Sequence, residues 1–228
     1  MLFCAKRMTQ NLQLPFGATI QKIRRAIAPF KTPAVTEVAQ RNRDPFRVLV
    51  SCIISLRTKD EVTEQASKRL FARADAAQSL LKLTTREIEK LIFPAGFYRT
   101  KARTLRELAR RLIDEHNGRV PDSLEELLKL KGVGRKTANL VITMAFNQPG
   151  ICVDIHVHRI SNRLGWVQTK TPEQTEMALR ASLPQRYWIS INDQLVTFGQ
   201  NLCQPVSPWC SKCPLEKSCP KIGVMRKR

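Results

Sequence analysis

The sequence is short of acid. Against 39 Lys and Arg it sets only 19 Asp and Glu, a formal net charge of +20 over 228 residues. A folding chain so unbalanced points to a polyanionic partner, with nucleic acid the leading candidate over a membrane surface or a merely basic protein. No apolar run approaches the roughly 20 residues that cross a bilayer. The opening MLFCAKRMTQ is too short and too charged for the apolar stretch of a secretory signal. The expected location is therefore intracellular, cytoplasmic or nucleoid-associated, where thiols stay reduced. There is no low-complexity linker, no clear internal repeat and no persuasive pair of strands. Short β-branched runs such as Val48 to Ile54 sit inside longer helical patterns. What is left is an all-α fold of about ten to twelve helices, in one domain or two small ones.

Helix signals are plentiful. Gly17 to Phe30 reads as a basic amphipathic helix with Ile20, Ile23, Ile27 and Phe30 on one side. Asp44-Pro45 opens a helix from Phe46 to Leu56 that is apolar nearly all round, hence central to a core. Thr58 with Glu61 is expected to cap an amphipathic helix to Ala72, and Thr84 with Glu87 a shorter one. Thr100 to His116 is long and basic, and Asn117-Gly118 ends it. Its Lys101, Arg103, Arg106, Arg110 and Arg111 form either a phosphate-facing surface or an ordinary solvated face. Further helices are expected from Asp154 to Leu164, after Thr171-Pro172, and from Tyr187 to Asn201. Residues Met1 to Pro15 carry little pattern.

The centre of the chain is LLKLKGVGRKTANLVITMAFNQPGICVD, Leu127 to Asp154. A short helix from Leu124 to Leu130 begins at Ser123, with Glu126 placed for a capping box. Gly132-Val133-Gly134 then permits a sharp turn and a close approach to something large. After Arg135 and Lys136, Thr137 to Phe146 reads as a second helix. Backbone N–H groups at such a hairpin and helix start make an anion site, and on this chain the natural anion is a DNA phosphate.

Seven cysteines, four of them clustered near the end, suggest a metal or cluster site rather than a disulfide framework. Cys203, Cys210, Cys213 and Cys219 are spaced C-x6-C-x2-C-x5-C, with no histidine nearby. Zinc sites favour two C-x2-C pairs or mixed Cys/His sets, whereas four thiolates in this pattern suit a [4Fe–4S] cluster. Zinc and unligated thiols remain the alternatives. Cys4, Cys52 and Cys152 read as ordinary small residues.

The glycine hairpin, the VDIHVHR block at Asp154 and the four cysteines, in that order, resemble the endonuclease III family of DNA glycosylases. The resemblance runs from about Asp44 to Cys219, nearly the whole chain. It implies two helical lobes with a DNA-binding cleft between them. One is a six-helix barrel with the helix-hairpin-helix, residues 37–147. The other joins residues 1–36 to 148–228 and holds the [4Fe–4S] loop at 203–219. It implies a monomeric base excision repair enzyme, acting on double-stranded DNA with damaged bases or abasic sites. Such an enzyme removes oxidised pyrimidines and cuts the strand as an abasic-site lyase.

By position Lys136 is the expected amine nucleophile. A free lysine is overwhelmingly protonated near neutrality, so the chemistry needs aid, and the positive end of a helix with Arg135 beside it disfavours a second positive charge. Asp154 is the expected carboxylate partner, and it is also a good helix cap. Gly132, Val133, Gly134 and Arg135 are the expected DNA-binding hairpin. Phe97 matches the family's wedge into the base stack, or else a core phenylalanine. Arg57 stands where many relatives probe the orphaned base with glutamine. Since arginine pairs well with guanine, it predicts a preference for lesions opposite G. His156, His158 and Arg159 are expected to pack or contact phosphate rather than react. One departure is that Gln204 to Trp209 holds no Lys or Arg, so the phosphate contacts that relatives draw from this loop would fall to Lys212, Lys217 or backbone N–H groups. The remaining readings are a mismatch uracil or thymine glycosylase and a catalytically silent DNA-binding module. An adenine glycosylase fits less well, since Cys52 stands where those relatives carry an acid and they usually lack Lys136.

Overall fold

The structure is a computed structural model that describes residues 14–228, leaving Cys4 and most of the unpatterned opening outside it. Among the described residues there are twelve α-helices, two short 3-10 turns and no strand. They are α1 (Phe16–Ile27), α2 (Ala34–Asn42), α3 (Pro45–Ser55), α4 (Asp60–Phe71), α5 (Ala77–Lys82), α6 (Thr85–Ile92), α7 (Tyr98–His116), α8 (Leu124–Lys129), α9 (Arg135–Met144), α10 (Ile155–Arg163), α11 (Pro172–Ser182) and α12 (Trp188–Asn201). None of them is long and apolar enough to cross a membrane.

Local chemistry sets most of the helix starts. Asp44 accepts the Arg47 N–H at 2.9 Å ahead of Pro45. Thr84 and Glu87 close a full capping box, and Thr171 accepts the Gln174 N–H at 3.2 Å. Helix α7 ends with Asn117 and Gly118 both in left-handed conformation, φ 53° and 77°. The Ser123 box forms only in part: Ser123 accepts the Glu126 N–H at 3.2 Å, but the Glu126 carboxylate turns to Lys129 at 2.5 Å.

Two helices were not legible in the sequence. Helix α2 starts after Pro33 with no side-chain cap, and α5 is six residues long. The expected Thr58 cap is a correction. Helix α4 starts at Asp60, behind Lys59, and the Thr58 hydroxyl serves a tertiary contact instead.

Two apolar cores result. The larger is built around α3, whose residues from Phe46 to Ile54, Arg47 apart, are buried. It takes in Val35, Leu70, Leu80, Leu105, Leu127 and Val141 from the surrounding helices. The β-branched residues of α3 are poor helix formers, but each one fully buried stabilises the fold by roughly 1.5–3 kcal/mol and outweighs that preference. The second core joins α1 to α10, α11 and α12 through Ile20, Ile23, Ile160, Leu179, Leu195 and Phe198, with the cysteine loop packed on it. Trp166 Nε1 donates to Leu14 O at 3.1 Å and ties in the chain ahead of α1.

Candidate active site and nucleic-acid interface

Lys136 sits in the first turn of α9 and Asp154 is the N-cap of α10, two places that secondary structure fixes firmly. Both line one cleft of about 200 Å³, together with residues of α2, α3, α4 and α12. Lys136 Nζ lies 3.8 Å from Asp154 Oδ2. The lysine side chain is half exposed to the cleft while the carboxylate is buried. A buried acceptor that faces a reachable amine can take or hold its proton and can face positive charge developing on a bound sugar.

Further polar residues complete the cleft, Asp60 at the start of α4 among them. Asn192 Nδ2 donates to Cys152 O at 3.1 Å beside Lys136. Gln200 Nε2 donates to Asp60 Oδ2 at 3.2 Å, so α12 and α4 meet across it. Thr36 Oγ1 donates to Asp193 Oδ1 at 2.8 Å, and burial raises the Asp193 carboxyl above the usual range. The one available signal was the adjacent polar pair Asn192-Asp193 between Ile191 and Leu195 of α12. Burial lowers the His156 pKa, so its ring is held neutral, and its Nδ1 lies 3.2 Å from Arg159 Nη2. His158 Nδ1 lies 2.7 Å from Thr175 Oγ1, and Arg159 donates to Cys203 O at 2.9 Å. All three are engaged by neighbouring protein groups, and His156 also lines the cleft with Lys136 and Asp154.

The hairpin forms as expected. Gly132 has φ +85°, and a Cβ there would stand 2.5 Å from Thr104 Cγ2, so both the turn and the contact with α7 require glycine. Arg135, with its side chain 38% exposed, turns to Glu176. Its Nε and Nη2 hold the Glu176 carboxylate at 2.7 and 3.1 Å, and Arg180 and Asn139 hold the same group at 3.0 and 3.3 Å. Glu176 is only 3% exposed and went unnoticed in the sequence. Arg135 is therefore paired, and much of its repulsion on Lys136 is offset.

Arg57 and Phe97 come together. Both have positive φ, 52° and 56°, and the guanidinium lies 5.5 Å from the ring centroid. Phe97 is 63% exposed, which removes the core-phenylalanine alternative. The two loops meet closely, for a Cβ on Gly96 would stand 2.3 Å from Arg57 O. Thr58 Oγ1 joins them, accepting from Gly96 N at 3.1 Å and from Lys101 Nζ at 2.8 Å. Lys101 is the clear correction to the basic face of α7. It is 6% exposed and donates to Ile54 O and Leu56 O, each at 2.6 Å. Burial pulls its pKa down to about 8. The positive charge on this helix that solvent and phosphate can meet is left to the arginines.

Cys203, Cys210, Cys213 and Cys219 surround a single cavity closed by Arg163 and Trp209. Arg163 Nη1 approaches Cys203 Sγ at 3.5 Å. Burial pushes the Cys213 thiol up to about 11, and its three companions add to the rise. Burial raises Cys219 as well. Among the described residues no three His, Cys, Asp or Glu converge as a single metal ion would require. The four thiols line one cavity, and their C-x6-C-x2-C-x5-C spacing without a nearby histidine suits a polynuclear cluster better than zinc. Cys52 and Cys152 are buried free thiols, Cys52 pushed up to about 12.

Comparison with known proteins follows the same lines. Residues 50–185 match the family model of HhH-GPD superfamily base excision DNA repair proteins. The chain is 52% identical over 179 residues to Endonuclease III of Thermotoga maritima, covering 78% of this chain and 84% of that one. It is similar to a trapped endonuclease III–DNA covalent intermediate, with TM-score 0.75 and 34% identity, covering 89% of this chain and 96% of the other. It is also similar to a thermostable thymine-DNA glycosylase, with TM-score 0.76 and 27% identity over 89% and 94% of the two chains.

Proposed function

The chain belongs to the endonuclease III family of the HhH-GPD base excision DNA repair superfamily, and from that membership we propose how its own residues carry the reaction. It is a DNA-binding enzyme, a DNA glycosylase with abasic-site lyase activity. The substrate we assign is double-stranded DNA with an oxidised pyrimidine or an abasic site. The working form is a monomer on chromosomal DNA inside the cell. The two lobes we assign, residues 37–147 and, among the described residues, 14–36 with 148–228, would hold the DNA in the cleft between them.

The observation that carries the mechanism is Lys136 Nζ at 3.8 Å from Asp154 Oδ2 within one cleft. Asp154 takes a proton from the ammonium. The neutral amine attacks the sugar C1′, the C1′–N bond breaks, and the base leaves with the bonding electrons and gains a proton. The ring oxygen takes up a proton as the sugar opens, which leaves a Schiff base between C1′ and Nζ. Loss of a C2′ proton then expels the 3′ phosphate by β-elimination, and water releases Lys136. Gly132, Val133 and Gly134 offer backbone N–H groups to a phosphate at the start of α9. Arg135 orients that helix through Glu176. Phe97 fills the space of the extruded nucleotide, with Arg57 at the base opposite.

Cys203, Cys210, Cys213 and Cys219 would hold a [4Fe–4S] cluster, which supplies a covalent brace for their loop and a one-electron couple. None of the excision steps needs it.

The test is borohydride trapping on duplexes with thymine glycol, 5-hydroxycytosine or an abasic site. Wild type is expected to crosslink and Lys136→Ala not to. The likeness to the thymine-DNA glycosylase favours a second reading, mismatch thymine removal by water. Base release without any crosslink in wild type would select it, with Asp154 as the main catalyst.

A further inference from the structure

The segment after the fourth cysteine is fastened down. Ile222 N donates to Arg163 O at 3.3 Å, and Val224 closes part of the cysteine cavity. Arg228 is held at several points. Its N–H donates to Pro208 O at 2.8 Å and its carbonyl accepts from Ser211 N at 2.9 Å. Its Nε donates to Ser207 O at 2.9 Å, and its Nη2 donates to Gln204 Oε1. Its guanidinium carbon lies 4.0 Å from the centroid of the Trp209 ring, and Lys212 Nζ lies 4.6 Å from the same centroid. The segment is thus laid along residues 204–209, which have no Lys or Arg of their own.

This concentrates positive charge. From Cys203 to Arg228 there are six basic residues (Lys212, Lys217, Lys221, Arg226, Lys227 and Arg228) and one acid, Glu216. Among the described residues none of the six forms an ion pair. Gathering like charges costs free energy unless an anion shares them. The hydrogen bonds also say where the anion would lie. Gln204 accepts from Arg228 and donates to Gln200 O at 3.1 Å, one helical turn back. Gln200 reaches Asp60 and lines the cleft with Lys136. The basic segment is therefore anchored beside the cleft.

We propose that residues 226–228 form a second phosphate-binding site for the DNA backbone beside this cleft. Arg226 and Lys227 are its exposed phosphate ligands, and Arg228 is the positioning residue that fixes them on the 204–209 loop. Arg228 gives its Nε and Nη2 to the loop, and Arg226 and Lys227 beside it are exposed. A chain bound at the hairpin alone can pivot on the duplex, and a second hold sets its register. The site rests on the DNA glycosylase reading.

The test is salt-dependent binding to a duplex with one tetrahydrofuran abasic-site analogue. Each phosphate contact contributes about 0.9 to the slope of log K against log [salt]. Arg226→Gln with Lys227→Gln is expected to make the slope shallower by about 1 to 2 on that scale. Arg228→Ala keeps both ligands but frees them, and a loss of the same sign is expected. Lys22→Gln with Arg25→Gln on α1 removes equal charge elsewhere and is expected to leave the slope alone. Normal wild-type binding with an unchanged slope in the Arg226/Lys227 variant overturns this site only. An equal loss in the α1 variant also overturns it, since general charge would then explain both. Failure of wild type to bind the duplex overturns the glycosylase reading and this site together.

Discussion

Asp154 divides its carboxylate between two tasks: Oδ2 faces Lys136 Nζ at 3.8 Å, while Oδ1 accepts the N–H groups of His156 and Val157 at 2.8 and 2.9 Å. Two substitutions separate them. Asp154→Asn keeps an oxygen for the cap and loses the charge. Asp154→Ala loses both. Base release measured under single-turnover conditions is expected to fall by roughly 10²–10⁴ in either variant. Only the alanine is expected to lose about 1 kcal/mol in denaturant unfolding. Equal stability loss in both would show that the cap needs the full charge.

Glu176 is the buried hub for Arg135, Arg180 and Asn139. Glu176→Ala leaves two guanidinium groups without their carboxylate at the start of α9. A loss of roughly 3–5 kcal/mol is expected from urea unfolding. A loss below about 1 kcal/mol would mean that the arginines find solvent or other partners.

Lys101 makes stability depend on pH. Its pKa is about 8 when folded, against 10.5 for the free side chain. Between those values the unfolded chain binds more protons, so the lysine's contribution to stability rises with pH through that window and is lost as pH falls to about 8. Lys101→Met removes this dependence, at the cost of leaving Ile54 O and Leu56 O without their donor. The difference in unfolding free energy between wild type and variant is expected to widen from pH 8 upward. A difference constant with pH would show that the amine keeps its ordinary affinity for protons.

Gly132 is constrained twice, by φ +85° and by Thr104 Cγ2. Gly132→Ala is expected to destabilise the chain by about 1–2 kcal/mol from backbone strain, with the methyl clash added. Thr104→Ser removes the methyl, so the double variant is expected to recover the clash but not the strain. Additive losses in a thermal unfolding cycle would refute the contact.

The proposal that Arg57, whose guanidinium lies 5.5 Å from the centroid of the exposed Phe97 ring, reads the base opposite the lesion has a direct test. The expected result is faster excision opposite G than opposite A in wild type, with the ratio reduced in Arg57→Gln. Equal ratios in the two proteins would assign Arg57 to a phosphate or to the loop alone.

Legibility followed sequence distance. Asp44, Thr84, Thr171 and Asn117 act within a few residues of themselves, so their roles could be read directly. The glycine hairpin, Asp154 at its helix start and the cysteine spacing are also local patterns. Thr58 misled because its hydroxyl answers Gly96 and Lys101, 38 and 43 residues away. Lys101 looked like one more surface cation, since nothing near it in sequence announces the carbonyls of α3 that it serves. The Arg135–Glu176 pair spans 41 residues and was equally silent. Helix α2 has no capping side chain, and α5 is too short to show a period.

The second core sets an order of assembly. Ile20 and Ile23 of α1 pack with α10 and α12, whereas the larger core draws on residues between Val35 and Cys152. During synthesis α1 leaves the ribosome first, yet its partners emerge only after that larger core has all its parts. Domains fold as units once their residues are available. A nascent chain released up to Cys152 thus holds all of the larger core while α1 still lacks α10 and α12. Helix α1 is the apolar surface still awaiting its partners.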